Sequence, residues 1–243
     1  MKKMKKFYWL FLILTVNTIF LSSCMKEYIE PGDIKIESRP VSDFNGIIVS
    51  DAFELYVSIA DSEQLSLEAY SGYLPHIKTL VKAGKLNLYL DDRYEYNSHY
   101  KQKVYLKMKS FNYLKASGAC KITGSTDFST ENFEMNLSGA SYVNMSLLIS
   151  NTLTCRASGA SYINLTGKSS DLNVSDLSGA SYFGAFNFIT EKASLTISGA
   201  SDVELNVTKE LEFTASGASS VKYKGNPESV KQSISGFSSV VKL

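Results

Sequence analysis

The tripeptide Ser-Gly-Ala begins at Ser117, Ser138, Ser158, Ser178, Ser198 and Ser216, and a variant, Ser-Gly-Phe, begins at Ser235. The successive spacings are 21, 20, 20, 20, 18 and 19 residues. A beat this regular marks a repeat architecture built from one small unit, because the loops of a sandwich vary freely in length. Aligning the copies shows what the unit is. Ahead of the tripeptide one column reads Leu137, Ala157, Leu177, Ile197, Ala215, Ile234, and two residues earlier another reads Met135, Cys155, Ser175, Leu195, Phe213. Behind it a column reads Ile122, Val143, Ile163, Phe183, Val203, Val221, Val240, followed two residues later by Met145, Leu165, Ala185, Leu205, Tyr223. Apolar and polar residues alternate on both sides, the period-2 pattern of strands with one buried face.

The predicted unit is therefore strand, tight corner, strand and looser return. Gly118, Gly139, Gly159, Gly179, Gly199, Gly217 and Gly236 hold the corner, where the chain needs backbone angles that only glycine adopts cheaply. A unit of about 20 residues predicts an all-β fold, a parallel β-helix or β-solenoid whose coils lie about 4.8 Å apart, so that six steps span roughly 29 Å. One coil cannot offset the entropy of ordering its own backbone. Stacked coils share hydrogen bonds and a continuous core, which is why the unit repeats.

Regular coils begin at about residue 112, and residues 49–57 repeat the pattern of residues 137–145 with Asp51 in place of the corner glycine. Further strands are predicted at Gln64–Tyr70, Lys85–Leu90 and residues 104–108, with a turn at Ala83-Gly84 and a short helical or irregular connection over residues 73–81. Residues 34–110 read as irregular N-terminal capping coils of a single domain, 34–243, since atypical terminal repeats protect an open end. Residues 91–100 break the pattern and read as a projecting loop. Its Asp91, Asp92 and Glu95 could hold calcium, but solvated acids are the simpler account.

The N-terminus carries a separate signal. Lys2, Lys3, Lys5 and Lys6 precede an apolar run over residues 7–21, the layout of a secretory leader, and the run is short for a stable span of about 20 residues. It ends in Leu21-Ser22-Ser23-Cys24, which resembles a bacterial lipobox. Residues 1–23 are then a lipoprotein signal peptide, Cys24 the acylated residue that attaches the protein to a membrane, and 24–33 a polar tether. The alternative is an uncleaved anchor helix. The expected location is the cell envelope, as an outer membrane lipoprotein facing the periplasm or the exterior. Removing the four leader lysines from the 25 basic residues leaves 21 against 24 acids, net −3, which offers no footprint for nucleic acid. Cys120 and Cys155 could form one bridge in such a compartment, but they fall in different columns, so two buried thiols are expected. With only His76 and His99 besides, no zinc ligand set assembles and no cofactor is implied.

Three stretches carry a family resemblance: residues 44–49 (Phe-Asn-Gly-Ile-Ile-Val), the Ser-Gly-Ala-Ser series, and residues 233–240 (Ser-Ile-Ser-Gly-Phe-Ser-Ser-Val). Together they resemble the auto-transporter adhesin family with the head GIN domain, over about residues 40–243. The resemblance, with the general twist of strands, implies right-handed winding. It implies adhesion and supplies no ligand, cofactor or catalytic residue, and fold by itself does not establish function.

One outward column reads Lys121, Tyr142, Tyr162, Tyr182, Asp202, Ser220, Ser239. Tyr142, Tyr162, Tyr182 and Asp202 form the candidate binding surface, because a tyrosine ladder presents apolar rings with polar tips to a glycan or protein. The simpler account is that stacked tyrosines shield strand hydrogen bonds and stabilise the sheet through neighbour contacts. The neighbouring column, Asn144, Asn164, Gly184, Glu204, Lys222, reads as ordinary solvated surface. The repeated serines are corner ladders, since a nucleophile needs one base and one site and not five. The predicted function is a non-enzymatic, adhesin-like binding module. The alternatives are a carbohydrate-active β-helix enzyme, for which Asp171 with Asp176 or Asp202 with Glu204 would supply the carboxylates, and a protein that binds lipid or a small apolar ligand. For the last, residues 183–188 carry surplus aromatics that would form an exposed patch or a lid.

Overall fold

The computed structural model describes residues 26–96 and 101–243. The expected leader over residues 1–23, Cys24, His99 and the tip of the predicted loop lie outside them. The chain is a β-solenoid of about 20-residue coils, with the strand before each corner on a leading wall and the strand after it on a trailing wall. Every regular coil pairs in parallel with the next: Phe133–Leu137 with Thr152–Ala157, Tyr142–Ile149 with Tyr162–Leu177, and Tyr182–Ile197 with Asp202–Ala215. The three strands Tyr162–Leu177, Tyr182–Ile197 and Asp202–Ala215 run unbroken from the trailing wall of one coil to the leading wall of the next. The returns of these coils are thus a third hydrogen-bonded ladder and not loose loops.

The corners stack as the spacing requires. All seven corner glycines have φ between 71° and 84°. Across each corner the N–H after the glycine donates to the glycine carbonyl one coil back, as from Ala160 to Gly139 at 2.8 Å and from Ala180 to Gly159 at 2.8 Å. Asp51 takes this place in the first coil with φ 73°, a region aspartate tolerates better than most residues. Its carboxylate accepts from the Leu90 N–H at 2.9 Å.

The interior columns are filled. Ile122, Val143, Ile163, Phe183, Val203 and Val221 are all buried, and one apolar cluster runs the length of the stack. Phe183 and Phe188 are buried too, so the 183–188 stretch forms neither a patch nor a lid. Phe186, half-buried, lies beneath the Lys224 ammonium. One predicted column needs correction: Val174, not Ser175, pairs with Cys155 and Leu195, because the ladder slips by one residue there. A simple period cannot reveal a bulge.

Cys120 and Cys155 are free and buried, in different columns. Burial pushes their thiols up to about 11 and about 12. Since the thiolate is the reactive form, alkylation of the native protein at pH 8 should run on the order of 100-fold slower than in denaturant. Counting labelled thiols by mass spectrometry in both conditions checks this, and fast native labelling of either residue would contradict it.

At the N-terminal end, stacking order departs from chain order. The strands Gly46–Val49 and Phe53–Ile59 lie between Tyr113–Ala116 and Lys121–Thr130 on one side and Lys85–Leu90 and Gln102–Met108 on the other. The chain lays its second coil outside the first, then crosses back to lay the third on the first coil's opposite face. Antiparallel strands close the end: Ile77–Lys82 on the leading wall, Gln64–Tyr70 and then Ile34–Arg39 on the trailing wall. The first of these falls where an irregular connection was expected. Pro75 confines the 3-10 turn to Leu74–His76, and the half-exposed alternation of an edge strand hid the rest. Arg39 pins the two walls together, donating to the Leu74 carbonyl at 2.6 Å and to the Ile77 carbonyl at 2.5 Å.

The expected tether is docked onto this cap from Glu27. Glu27–Tyr28 pairs with Tyr94–Glu95, and the Ser71 and Gly72 N–H groups donate to the Asp33 and Pro31 carbonyls at 2.7 and 2.9 Å. Asp91 at the base of the predicted loop is enclosed, its carboxylate held by Arg93 at 2.9 and 2.6 Å and by Lys78 at 3.5 Å. Those cations hold its carboxyl well below the usual range, Arg93 dominating, and occupy the oxygens a calcium ion would need.

Candidate functional site

The trailing wall presents a continuous outer face, from Ile34–Arg39 at the cap through the tyrosine strands to Ser239–Lys242. Strand alternation points every second side chain outward. The register puts Lys121, Tyr142, Tyr162, Tyr182, Asp202, Ser220 and Ser239 in one file. The tyrosines stack: Tyr142 on Tyr162 at 5.1 Å and 7°, and Tyr162 on Tyr182 at 4.6 Å and 22°. A second pair, Tyr56 on Tyr105 at 5.4 Å and 15°, stands in the adjacent file nearer the cap.

Stacking decides what the ladder can offer. The faces between successive rings are occupied by other rings, so edges and hydroxyls are what the file turns outward; Tyr162 keeps 42% of its surface exposed. Tyr182 differs from its neighbours. Its hydroxyl donates to Glu204 at 2.8 Å, and burial, then Glu204, pushes its pKa up to about 12. It reaches Glu204 because its ring lies across Gly184, where a Cβ would stand 2.7 Å from the ring carbon Cε1. The neighbouring file is therefore not ordinary surface. Gly184 makes room for a ring, Glu204 receives it, and the Asn164 amide donates to Asn144 at 2.9 Å. One glycine in an otherwise polar file was the signal for this, legible only once the tyrosine beside it was known to lean.

The remaining candidates do not converge. Asp202 stands in the tyrosine file, while Glu204 is engaged by Tyr182 and approached by Lys222 at 4.0 Å. Asp171 lies on the leading wall beside Lys192, which pairs with Glu210 at 3.0 Å. The buried serines Ser141, Ser161, Ser181, Ser201 and Ser219 each donate to the carbonyl three residues back, at 2.9–3.1 Å. Each hydroxyl closes its own corner, as a turn-capping serine does. Among the described residues no three His, Cys, Asp or Glu side chains gather as a metal-binding group.

The family described as "putative auto-transporter adhesin, head GIN domain" matches residues 43–227. The chain belongs to this family. The matched residues include the coils from Gly46 to Lys224. The fold recurs in a solved structure called a putative adhesin from Bacteroides fragilis, 19% identical with a TM-score of 0.83, covering 88% of this chain and 99% of that one. A putative adhesin from Parabacteroides merdae is 16% identical, with a TM-score of 0.68 and coverage of 89% and 99%. A structure called a putative lipid binding protein, from Parabacteroides distasonis, is 16% identical with a TM-score of 0.66 and covers 90% and 100%. At these identities the likeness is one of fold. A search of curated proteins finds no match.

Proposed function

We propose that this head GIN protein is a non-catalytic, adhesin-like binding module of the bacterial envelope, anchored through Cys24, whose trailing-wall face takes a glycan or a protein segment. The observation that carries the reading is the Tyr142–Tyr162–Tyr182 stack beside the Asn144–Asn164 amides. A file of ring edges and hydroxyls next to a file of amides is a flat lattice of hydrogen-bond donors and acceptors with apolar strips between. Such a lattice suits a hydroxyl-rich or extended polar partner better than an apolar one. Tyr142 and Tyr162 supply the outward hydroxyls, Tyr182 braces the stack through Glu204, and Asp202 extends the polar end.

The test separates binding from bracing. Tyr142→Phe with Tyr162→Phe keeps the stack and removes two hydroxyls, so affinity on a glycan array or for whole cells should fall at least about tenfold, the worth of one or two polar hydrogen bonds. The melting temperature should move by less than about 3 °C. Unchanged binding in this variant, together with a large drop in melting temperature for Tyr162→Ala, would make the ladder a structural brace and sink the assignment.

A further inference from the structure

The capped end of the solenoid carries apolar groups that the fold itself leaves uncovered. At the rim of this end, Ile34 and Ile36 point outward from the outermost trailing-wall strand, Ile36 in register with Glu68, Lys103, Glu54, Lys121 and Tyr142, and are 59% and 70% exposed; Leu80 points outward from the outermost leading-wall strand and is 53% exposed. A groove of about 820 Å³ opens among the three capping strands, with Val41, Leu65 and Val81 in its lining. Edge strands with bulky aliphatic side chains are a liability unless something covers them, because they invite pairing with other chains. Farther along the same walls, lysine, glutamate, asparagine and serine are the common outward residues.

The sequence outside the described residues says what the cover is. A basic head and an apolar run over residues 7–21 precede Cys24, which lies three residues before the docked segment begins at Glu27. With Cys24 acylated, the bilayer lies within roughly 14 Å of Tyr28, since four extended residues reach no further; with the apolar run as anchor, the seven residues after Leu21 set the limit at roughly 25 Å. The pairing of Glu27–Tyr28 and the Pro31 and Asp33 hydrogen bonds remove the slack that a free tether would give.

We infer that the capped end of the solenoid is a membrane seat, with Ile34, Ile36 and Leu80 entering the headgroup–acyl boundary of the bilayer. This rests on the N-terminal segment being membrane-bound. An anchor alone fixes distance; a second, apolar contact also fixes orientation, and two weak membrane signals hold far better than one. The seat would set the rod on its end, carrying the tyrosine file away from the bilayer along the rod's flank.

The single tryptophan, Trp9, lies in the leader, so tryptophan can be placed at will. Full chain carrying Trp9→Phe, with either Ile36→Trp or Phe237→Trp, would be reconstituted into phosphatidylcholine vesicles with or without bromine-labelled acyl chains. Phe237 is 94% exposed on the last corner, at the far end of the stack. The seat predicts blue-shifted emission and about twofold or greater quenching at position 36 in bromolipid, with position 237 unaffected. Protein that floats with the vesicles while position 36 is as unquenched as position 237 would overturn the seat and leave the anchor intact. Blue-shifted emission at 36 without bromolipid quenching would mean that a second copy covers the edge, and would equally overturn it. Failure to float would remove the anchor itself, and the seat with it.

Discussion

Gly179→Val is expected to abolish the folded state of the central coils. Gly179 has φ 81°, where a residue with a Cβ pays about 1–2 kcal/mol. The larger cost is steric. A Cβ here would fall against the carbonyl oxygen of Gly159, the atom that accepts the Ala180 N–H at 2.8 Å. That neighbour is backbone shared with the coil below, so it cannot swing aside as a side chain would, and the next coil rests on Gly179 in the same way. The backbone angle, the lost inter-coil hydrogen bond and the displaced coil together reach on the order of 4 kcal/mol or more, in the range where single substitutions become disabling. Gly84→Ala is the control. Gly84 also has φ 68°, but nothing closer than Asn45 Oδ1 at 3.8 Å faces its Cβ position, so it should lose only about 1 kcal/mol.

Because each coil touches only its neighbours, damage should be local before it is global. The buried thiols report where. Cys155 belongs to the strand Thr152–Ala157, which leads into the Gly159 corner, whereas Cys120 lies two corners nearer the cap. In Gly179→Val, Cys155 should become alkylated well before Cys120. Equal, slow labelling of both thiols with a native melting temperature would refute the stacked-corner account.

The coil, its corner and its interior columns were legible in the sequence because one geometric demand recurs at every copy. Glycine at the corner, serine closing it and alternation on both sides are each enforced by identical neighbours above and below. Where neighbours differ, legibility failed. The strand Ile77–Lys82 was missed because an edge strand buries only half a pattern, and Ser175 was misplaced because a bulge shifts register without changing the period. The interposed first coil could not be read at all, since residues 49–57 match the repeat equally well whether they stack before or after residues 85–108. In the candidate site, the tyrosine file followed from spacing alone. The lean of Tyr182 across Gly184 toward Glu204 did not, because it depends on a side-chain direction between files.

That unread crossing predicts the second large effect. After the outer coil the chain must pass back beneath Gly46–Val49 and Phe53–Ile59 to begin Tyr113–Ala116, and Phe111 is the residue that fills the space at the crossing. It is fully buried, edge-on to Phe128 at 5.2 Å and 74° and to Phe133 at 5.0 Å and 87°. Those rings belong to successive coils, so Phe111 joins the irregular end to the regular stack. Phe111→Ala should cost about 3–5 kcal/mol, the transfer term for a buried ring plus a cavity that two rigid rings cannot close. Phe186→Ala, half-buried on a bulge, should cost nearer 1 kcal/mol. Urea titration of both variants measures the difference, and a second, earlier transition in Phe111→Ala alone is the expected signature of a cap uncoupled from the stack. Equal midpoints for the two variants would show that the crossing is not where the ends are joined.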